Sequence, residues 1–357
     1  MVRLSDLVRN VHQEGVAPPA SEAAPPEGDA SRSQTSFPRE AAAPPAPTAS
    51  PEPAQAPEDS EAEAREAPEE LFAEVLAFTG RLPALLREGK EFPWGGYQGL
   101  LERVIRSLKQ SADLFWLANN PPGAEYLPAH LASVGILSLG IGAGLRLGPA
   151  PLLDLGMAAF LFDVGIAALP PSVLAKGEAR AGDDLTTYQA HAQLSADLVR
   201  RCVPPRTGVI EAVLQHHERE NGQGYPQGLA GAAIHPNAKI IGLLDTYVAL
   251  IFPRPPVPRL PPYEAVRQLV RSKREEFPAP LIKALLAEIS VFPPRTMVKL
   301  NTGEVGRVIA VNRNYPLRPR VEIFSDSKGS RLMVPRVLNL PEAPFIYVTG
   351  AVEEGGR

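Results

Sequence analysis

Cysteine, aromatic residues and net charge are what this sequence has least of. A single cysteine, Cys202, in 357 residues excludes an intramolecular disulfide and any thiolate-rich metal site. Thirty-six lysines and arginines against forty aspartates and glutamates leave a formal charge of -4. No basic field therefore exists to hold a nucleic-acid polymer. Long apolar runs are also scarce. The two longest, Leu131 to Leu145 and Leu155 to Leu169, fall short of the ~20 residues that cross a bilayer. They are bounded or interrupted by His130, Arg146, Asp154 and Asp163, which reads as buried helices with no membrane span. The opening Met-Val-Arg-Leu-Ser lacks the apolar core of a signal peptide, and a cytoplasmic location is expected.

Proline, by contrast, is abundant, with forty copies. Residues 15–68 are mostly Pro, Ala, Glu and Ser, with almost nothing to bury, and cannot recover the entropy of ordering. Before them, Leu4, Leu7, Val8 and Val11 recur at helical spacing within Val2 to His12, with Ser5 as a candidate cap. Residues 1–68 thus read as a short N-terminal helix plus a disordered Pro/Ala/Glu-rich tether.

From residue 69 to 294 the pattern is helical. Helices are expected at Glu69 to Phe78, Leu100 to Leu117, His130 to Leu147, Leu152 to Ala168 and Asp183 to Arg201. Further ones follow at Thr207 to His217, Ala238 to Ile251, Tyr263 to Arg274 and Pro278 to Ile289. Over 295–357 the period changes to two. Met297 to Leu300, Val305 to Val311, Arg320 to Phe324, Arg331 to Val334 and Phe345 to Val348 read as strands of a small β-rich module. The fold class is mainly α: a helical bundle, a β-rich C-terminal module and a disordered N-terminal tail.

Two aspartates sit in apolar helices. Asp245 shares a helical face with Ile241, Leu244 and Val248, and Asp163 lies within Ala158-Ala-Phe-Leu-Phe-Asp-Val-Gly-Ile. A buried carboxylate needs a hydrogen-bond partner, a cation or a metal. Of six histidines, His130, His191, His216 and His217 fall in or at the ends of expected helices, while His12 and His235 look incidental. Each alone is as well explained by the surface or a satisfied core. Imidazoles with carboxylates and no thiolate are the ligand set of a hydrolytic metal centre. His216-His217-Glu218 runs directly into Asn221-Gly222-Gln223-Gly224-Tyr225-Pro226-Gln227-Gly228-Leu229. Neighbouring residues on a helix point about 100° apart, so adjacent histidines converge on one point only at a helix end. The glycines and Tyr225-Pro226 are equally able to form consecutive tight turns with no ligand.

Taken in order, His130, Asp163 with Gly165, His191, His216-His217-Glu218, Gly222, Gly224-Tyr225-Pro226, Gly228-Leu229 and Asp245-Thr246-Tyr247 resemble the HD-GYP phosphohydrolases, over about residues 75–290. The resemblance implies an HD-type helical domain at 69–294 that hydrolyses cyclic di-GMP. It implies metal ligands at Asp163, His191, His216, His217 and Asp245, with His130 as a weaker one. Asp163 would be catalytic together with a metal-bound water. One or two divalent ions, iron, manganese or zinc, are implied. Gly222, Gly224, Tyr225 and Pro226 would form a loop toward substrate or a protein partner such as a diguanylate cyclase domain.

The departures are as informative as the matches. Phe162 stands where the family has the histidine of its His-Asp pair, Ile166 where it has lysine, Asn221 where the loop has aspartate, and Val248 where a second helical aspartate belongs. Tyr126 takes the place of a glutamate that binds a third metal in some relatives, so a trinuclear centre is not expected. Losing an imidazole and a lysine at an anionic transition state favours a catalytically weak or inactive domain that binds a nucleotide or protein partner. An active cyclic di-GMP phosphodiesterase is the alternative.

Overall fold

Proline marks where many helices begin. Pro149, Pro171, Pro236 and Pro262 each open a helix, in the first turn, where a missing N–H leaves no hydrogen bond unmade. The computed structural model describes residues 66–352 apart from 89–91, 122–124, 203–205, 290–291, 293, 295, 313–314 and 316. The expectations for Val2 to His12 and for the tether up to residue 65 lie outside the described residues.

The helices run α1 (Pro68–Glu88), α2 (Trp94–Gln110), α3 (Asp113–Asn119), α4 (Tyr126–Gly144), α5 (Pro149–Leu161) and α6 (Pro171–Ala175). They continue with α7 (Asp183–Gln189), α8 (His191–Cys202), α9 (Thr207–Gln215), α10 (Pro236–Ile251), α11 (Pro262–Ser272) and α12 (Ala279–Glu288). The axis of the bundle is α4, in which every residue from Ala129 to Gly142 is buried. It packs against α5, α10, α1 and α3. A helix apolar on all sides is an interior helix. Its membrane-like length and composition are spent against protein, since 78% of its apolar window is covered.

Several helices end earlier than periodicity suggests. The expected Leu100 to Leu117 helix breaks at Ser111, whose extended backbone donates its N–H to Ser107 O. Asp183 to Arg201 divides at Ala190, which puts His191 at the start of α8. Leu152 to Ala168 stops being α-helical at Leu161 and tightens to a 3-10 turn over Val164–Ala168. Gly165 explains the tightening. Its N–H donates to Ser195 Oγ at 2.8 Å, and a Cβ there would lie 2.5 Å from His191 O and 2.6 Å from Ser195 N. The turn therefore lies directly on α8 and carries Asp163 to the foot of His191.

The C-terminal module is an antiparallel sheet of β1 (Met297–Leu300), β2 (Val305–Ala310), β3 (Arg320–Ser325), β4 (Arg331–Asn339) and β5 (Val348–Ala351), in the order β4-β3-β2-β1-β5. Val298, Leu300, Val308, Val321 and Ile323 alternate inward and join the core of the helices, as period two requires. Strand β4 is longer than expected and continues through Pro335, which an edge strand tolerates. The last strand is displaced from Phe345–Val348 to Val348–Ala351. Asn301 holds the preceding loop, donating to Phe345 O (3.0 Å) and accepting from Tyr347 N (2.9 Å), and Phe345 is left 88% exposed.

Substituting Gly165→Ala presses a methyl group into the α8 backbone. An overpacking cost of about 1–3 kcal/mol is expected, seen as a fall of several degrees in the thermal unfolding midpoint. An unchanged midpoint would mean that the 3-10 turn does not bear on α8.

Candidate metal centre

Three chain segments bring four polar side chains to one buried point. His191 opens α8, His216 caps the end of α9, His217 follows in the turn, and Asp163 precedes the 3-10 turn after α5. His191 Nδ1 donates to Tyr188 O at 2.5 Å and His216 Nδ1 to Val213 O at 2.6 Å, each reaching the carbonyl three residues back. Committing Nδ1–H to a carbonyl leaves Nε2 as the acceptor. The two Nε2 lone pairs therefore face inward. His191 Nε2 lies 2.9 Å from His217 Nε2 and 3.2 Å from Asp163 Oδ1. One ligand atom from each of His191, His216 and His217 falls within 4.8 Å of the others.

The electrostatics suit a cation. Burial pushes His191 down to about 4, and burial with the neighbouring His191 ring pushes His216 to about 3. His217 is held well below its ordinary value by burial and by the other two rings. All three are neutral at pH 7. Burial, reinforced by Asp245, raises Asp163 to about 7. His216 Nε2 is buried with no protein partner. Three neutral imidazoles, one of them with its Nε2 orphaned, and one buried carboxyl fit a divalent metal ion.

The neighbouring half of the site is organised differently. Asp245 on α10 accepts from His130 Nε2 at 2.9 Å and lies 3.9 Å from His217 Nδ1. Burial alone would raise its pKa. The hydrogen bond and positive field of His130 outweigh that and hold it below the usual carboxylate value. Phe162 is fully buried between the two histidine groups, its ring centroid 4.9 Å from His216 and 5.8 Å from His130. An apolar ring thus lies between His130, the partner of Asp245, and His216. Ile166 is 3% exposed and Val248 fully buried, so both lost polar positions are now core.

The loop after His217 is packed onto the site. Glu218, 3% exposed, accepts from Gln227 N at 2.6 Å and Leu229 N at 2.8 Å, so its carboxylate closes the loop. Gly224 abuts residues 217–219, where a Cβ would lie 2.4 Å from Glu218 Cα. Tyr225 stacks on His217 with centroids 4.5 Å apart, and Pro226 beside it is exposed. Gly222 turns the chain at φ +74°. Asn221 is exposed and accepts from Gln223 N at 3.1 Å, an Asx-turn that needs no charge. Arg219 donates to His216 O and Glu218 O, both at 3.0 Å, and pairs with Glu276. It locks the histidine turn from behind. His235, by contrast, caps α10 by accepting from Asn237 N.

Sequence reasoning missed the rim. Tyr188 lies against His191 under the Arg180 guanidinium, 4.0 Å from its ring centre. Tyr126 stacks on His130 under Arg254, 4.3 Å away. Two arginines on two tyrosines flank the cluster. Only the place of Tyr126 one helical turn before His130 hinted at this, and neither arginine has a local signal.

A model of the HD domain matches residues 117–279, and a model of a KOW domain associated with HD domains matches 297–355. The chain is 27% identical over 259 residues to a cyclic di-GMP phosphodiesterase of Pseudomonas aeruginosa, covering 72% of this chain and 62% of that protein. It is 23% identical over 198 residues to the cyclic di-GMP phosphodiesterase PdeB of Borreliella burgdorferi, covering 56% and 52%. The chain thus spans roughly half to three-fifths of these relatives' length. Among solved structures, a HDG"Y"P protein from Bdellovibrio bacteriovorus aligns with a TM-score of 0.50 at 19% identity, over 63% of this chain and 73% of that one. The helical fold and these matches agree: the chain carries an HD domain followed by the KOW domain associated with it, and it is similar to cyclic di-GMP phosphodiesterases and to an HD-GYP structure.

Proposed function

We propose that this chain is a signalling HD-GYP domain that holds one divalent metal and binds a cyclic dinucleotide of the cyclic di-GMP class while hydrolysing it weakly or not at all. The ring of Phe162, seated between His130 and His216, carries the reading. His191, His216 and His217 would hold the metal with Asp163 as fourth donor. Asp245 is engaged by His130, and the other imidazole near it, His217, turns its Nε2 to the first site, so a second site would be short of donors. A bound divalent ion supplies Lewis acidity toward a phosphodiester and the water that attacks it. A single ion without the family's lysine leaves much of the developing charge unmet. Asp163, His191, His216 and His217 remain the residues on which any residual turnover depends.

The rim supports a nucleotide as the ligand. Arg254 and Arg180 set positive charge, and Tyr126, Tyr188 and Tyr225 aromatic rings, around the histidine cluster, a combination of groups that suits phosphates and bases. The same rim, with the intact His191, His216, His217 and Asp163 set, supports the second reading, an active phosphodiesterase. A protein partner docking on the Gly222 to Pro226 loop fits either reading.

Metal analysis of protein loaded anaerobically with iron or manganese is expected to give one ion per chain, lost in the His216→Ala/His217→Ala variant. Two ions per chain would sink the single-site reading. The imidazoles are already neutral well above pH 4, so only the Asp163 proton competes with metal near neutrality. Affinity is therefore flat above about pH 7 and falls below it by about tenfold per pH unit. A slope near three protons, from calorimetry in buffers of different ionisation heat, would place the imidazoles in their charged form instead.

Turnover of cyclic di-GMP by the loaded protein, with products resolved by mass spectrometry, separates the two readings. Binding without linear dinucleotide or GMP is expected. Product that vanishes with the histidines would establish the active reading. Restoring donors with Phe162→His and Ile166→Lys together is expected to bring a second ion and raise turnover by about 10²-fold or more. No gain, in protein of unchanged fold, would show that Phe162 is not what limits the site.

A further inference from the structure

The far end of α4 from the histidines borders a cleft of about 660 Å³. Its residues Gly140, Ala143 and Gly144 lie about 15 Å or more along the helix from His130, so the cleft is separate from the metal centre. Leu108, Phe115, Trp116 and Val311 supply its apolar wall. Trp116 is 43% exposed and Val311 40%, a large apolar surface for side chains in a water-facing cleft. Around that wall stand three carboxylates, Glu69, Asp113 and Glu288, against one ammonium, Lys109.

We propose that this cleft is the docking site of the chain's own segment Val2 to His12, bound as a short amphipathic helix. Three observations single out this occupant. First, α1 starts at Pro68 and Glu69 lines the cleft, so the chain preceding the described residues joins the fold at the cleft's rim. Second, the charges are complementary: Arg3 and Arg9 against Asp6 leave the segment net positive, opposite in sign to the acidic surround of the cleft. Third, Leu4, Leu7, Val8 and Val11 fall on one helical face, a stripe of the kind that lies in an apolar groove. Eleven residues are too few to hold a helix in water without such a surface.

The intervening sequence makes the association intramolecular. A random-coil chain as long as residues 13–65 would have an r.m.s. reach of about 40 Å. A tether of that reach maintains the segment near its site at an effective concentration on the order of mM. Weak contacts then suffice for high occupancy, and a ligand or partner that competes for either surface would release the segment.

Hydrogen–deuterium exchange on the full chain tests this directly. In the Leu4→Asp/Leu7→Asp/Val11→Asp variant, amides of residues 108–119 and 140–144 are expected to exchange roughly tenfold faster than in the wild type, the change for a site occupied nine-tenths of the time. Amides of α10 serve as the control and stay unchanged. Equal exchange at the cleft in both proteins overturns the proposal. So does protection that appears only as the chain dimerises, which would make a second copy the occupant. A charge exchange adds specificity: Asp113→Lys/Glu288→Lys is expected to lose the protection, and adding Arg3→Glu/Arg9→Glu to recover it. Failure of that recovery, with the fold intact, overturns the assignment of the charged contacts.

Discussion

Three imidazoles are tolerable inside a helical core only while they stay neutral, and much of the domain is arranged around that condition. Protonating any of them would place a charge where burial makes it costly. Burial meets the condition, outweighing main-chain hydrogen bonds that on their own favour the charged ring. Tyr188 O and Val213 O accept from Nδ1 of His191 and His216, so each ring is locked by the helical turn that precedes it. The lone pairs then point inward by construction. Everything that fixes those turns, from Gly165 on α8 to Arg219 behind His216, acts on the donor set at one remove.

The close contact of Gly242 shows how tightly this is drawn. A Cβ at that position of α10 would lie 2.3 Å from His216 O, the carbonyl that Arg219 also grips. Helix α10 thus rests on the histidine turn and delivers Asp245 from the opposite side. Phe162 fits this frame because it replaces a polar ring by an apolar one in a space already dry. A phenyl and an imidazole ring are close in size, so exchanging one for the other alters the donor set with little demand on the packing.

Much of this was legible in the residues. His216 and His217 declared a convergence because adjacent helical positions diverge unless the helix ends there. Asp163 and Asp245 declared themselves as carboxylates in apolar helices. The β module announced itself through period-two alternation in Met297 to Leu300 and Val305 to Val311. What stayed hidden depends on contacts between distant segments. Glu218 resembles part of a ligand motif, yet its oxygens close a loop on Gln227 and Leu229. The break at Ala190 has no proline or glycine to mark it. Arg180 and Arg254 lie outside the helices and reach the rim through Tyr188 and Tyr126, pairings that leave no periodic trace.

Strand β4 closes the sheet with an open edge that carries Met333, Val334 and Val337, all more than half exposed. An edge of that length and composition is a template on which other chains can add strand upon strand. Pro335 sits in its middle, with no N–H to offer, and Arg331 and Arg336 set positive charge on either side of it. Sideways growth is interrupted after a few residues in either direction. Proline and flanking positive charge are the devices by which a sheet discourages strand addition at an edge, and in this module both sit in the strand that ends the sheet.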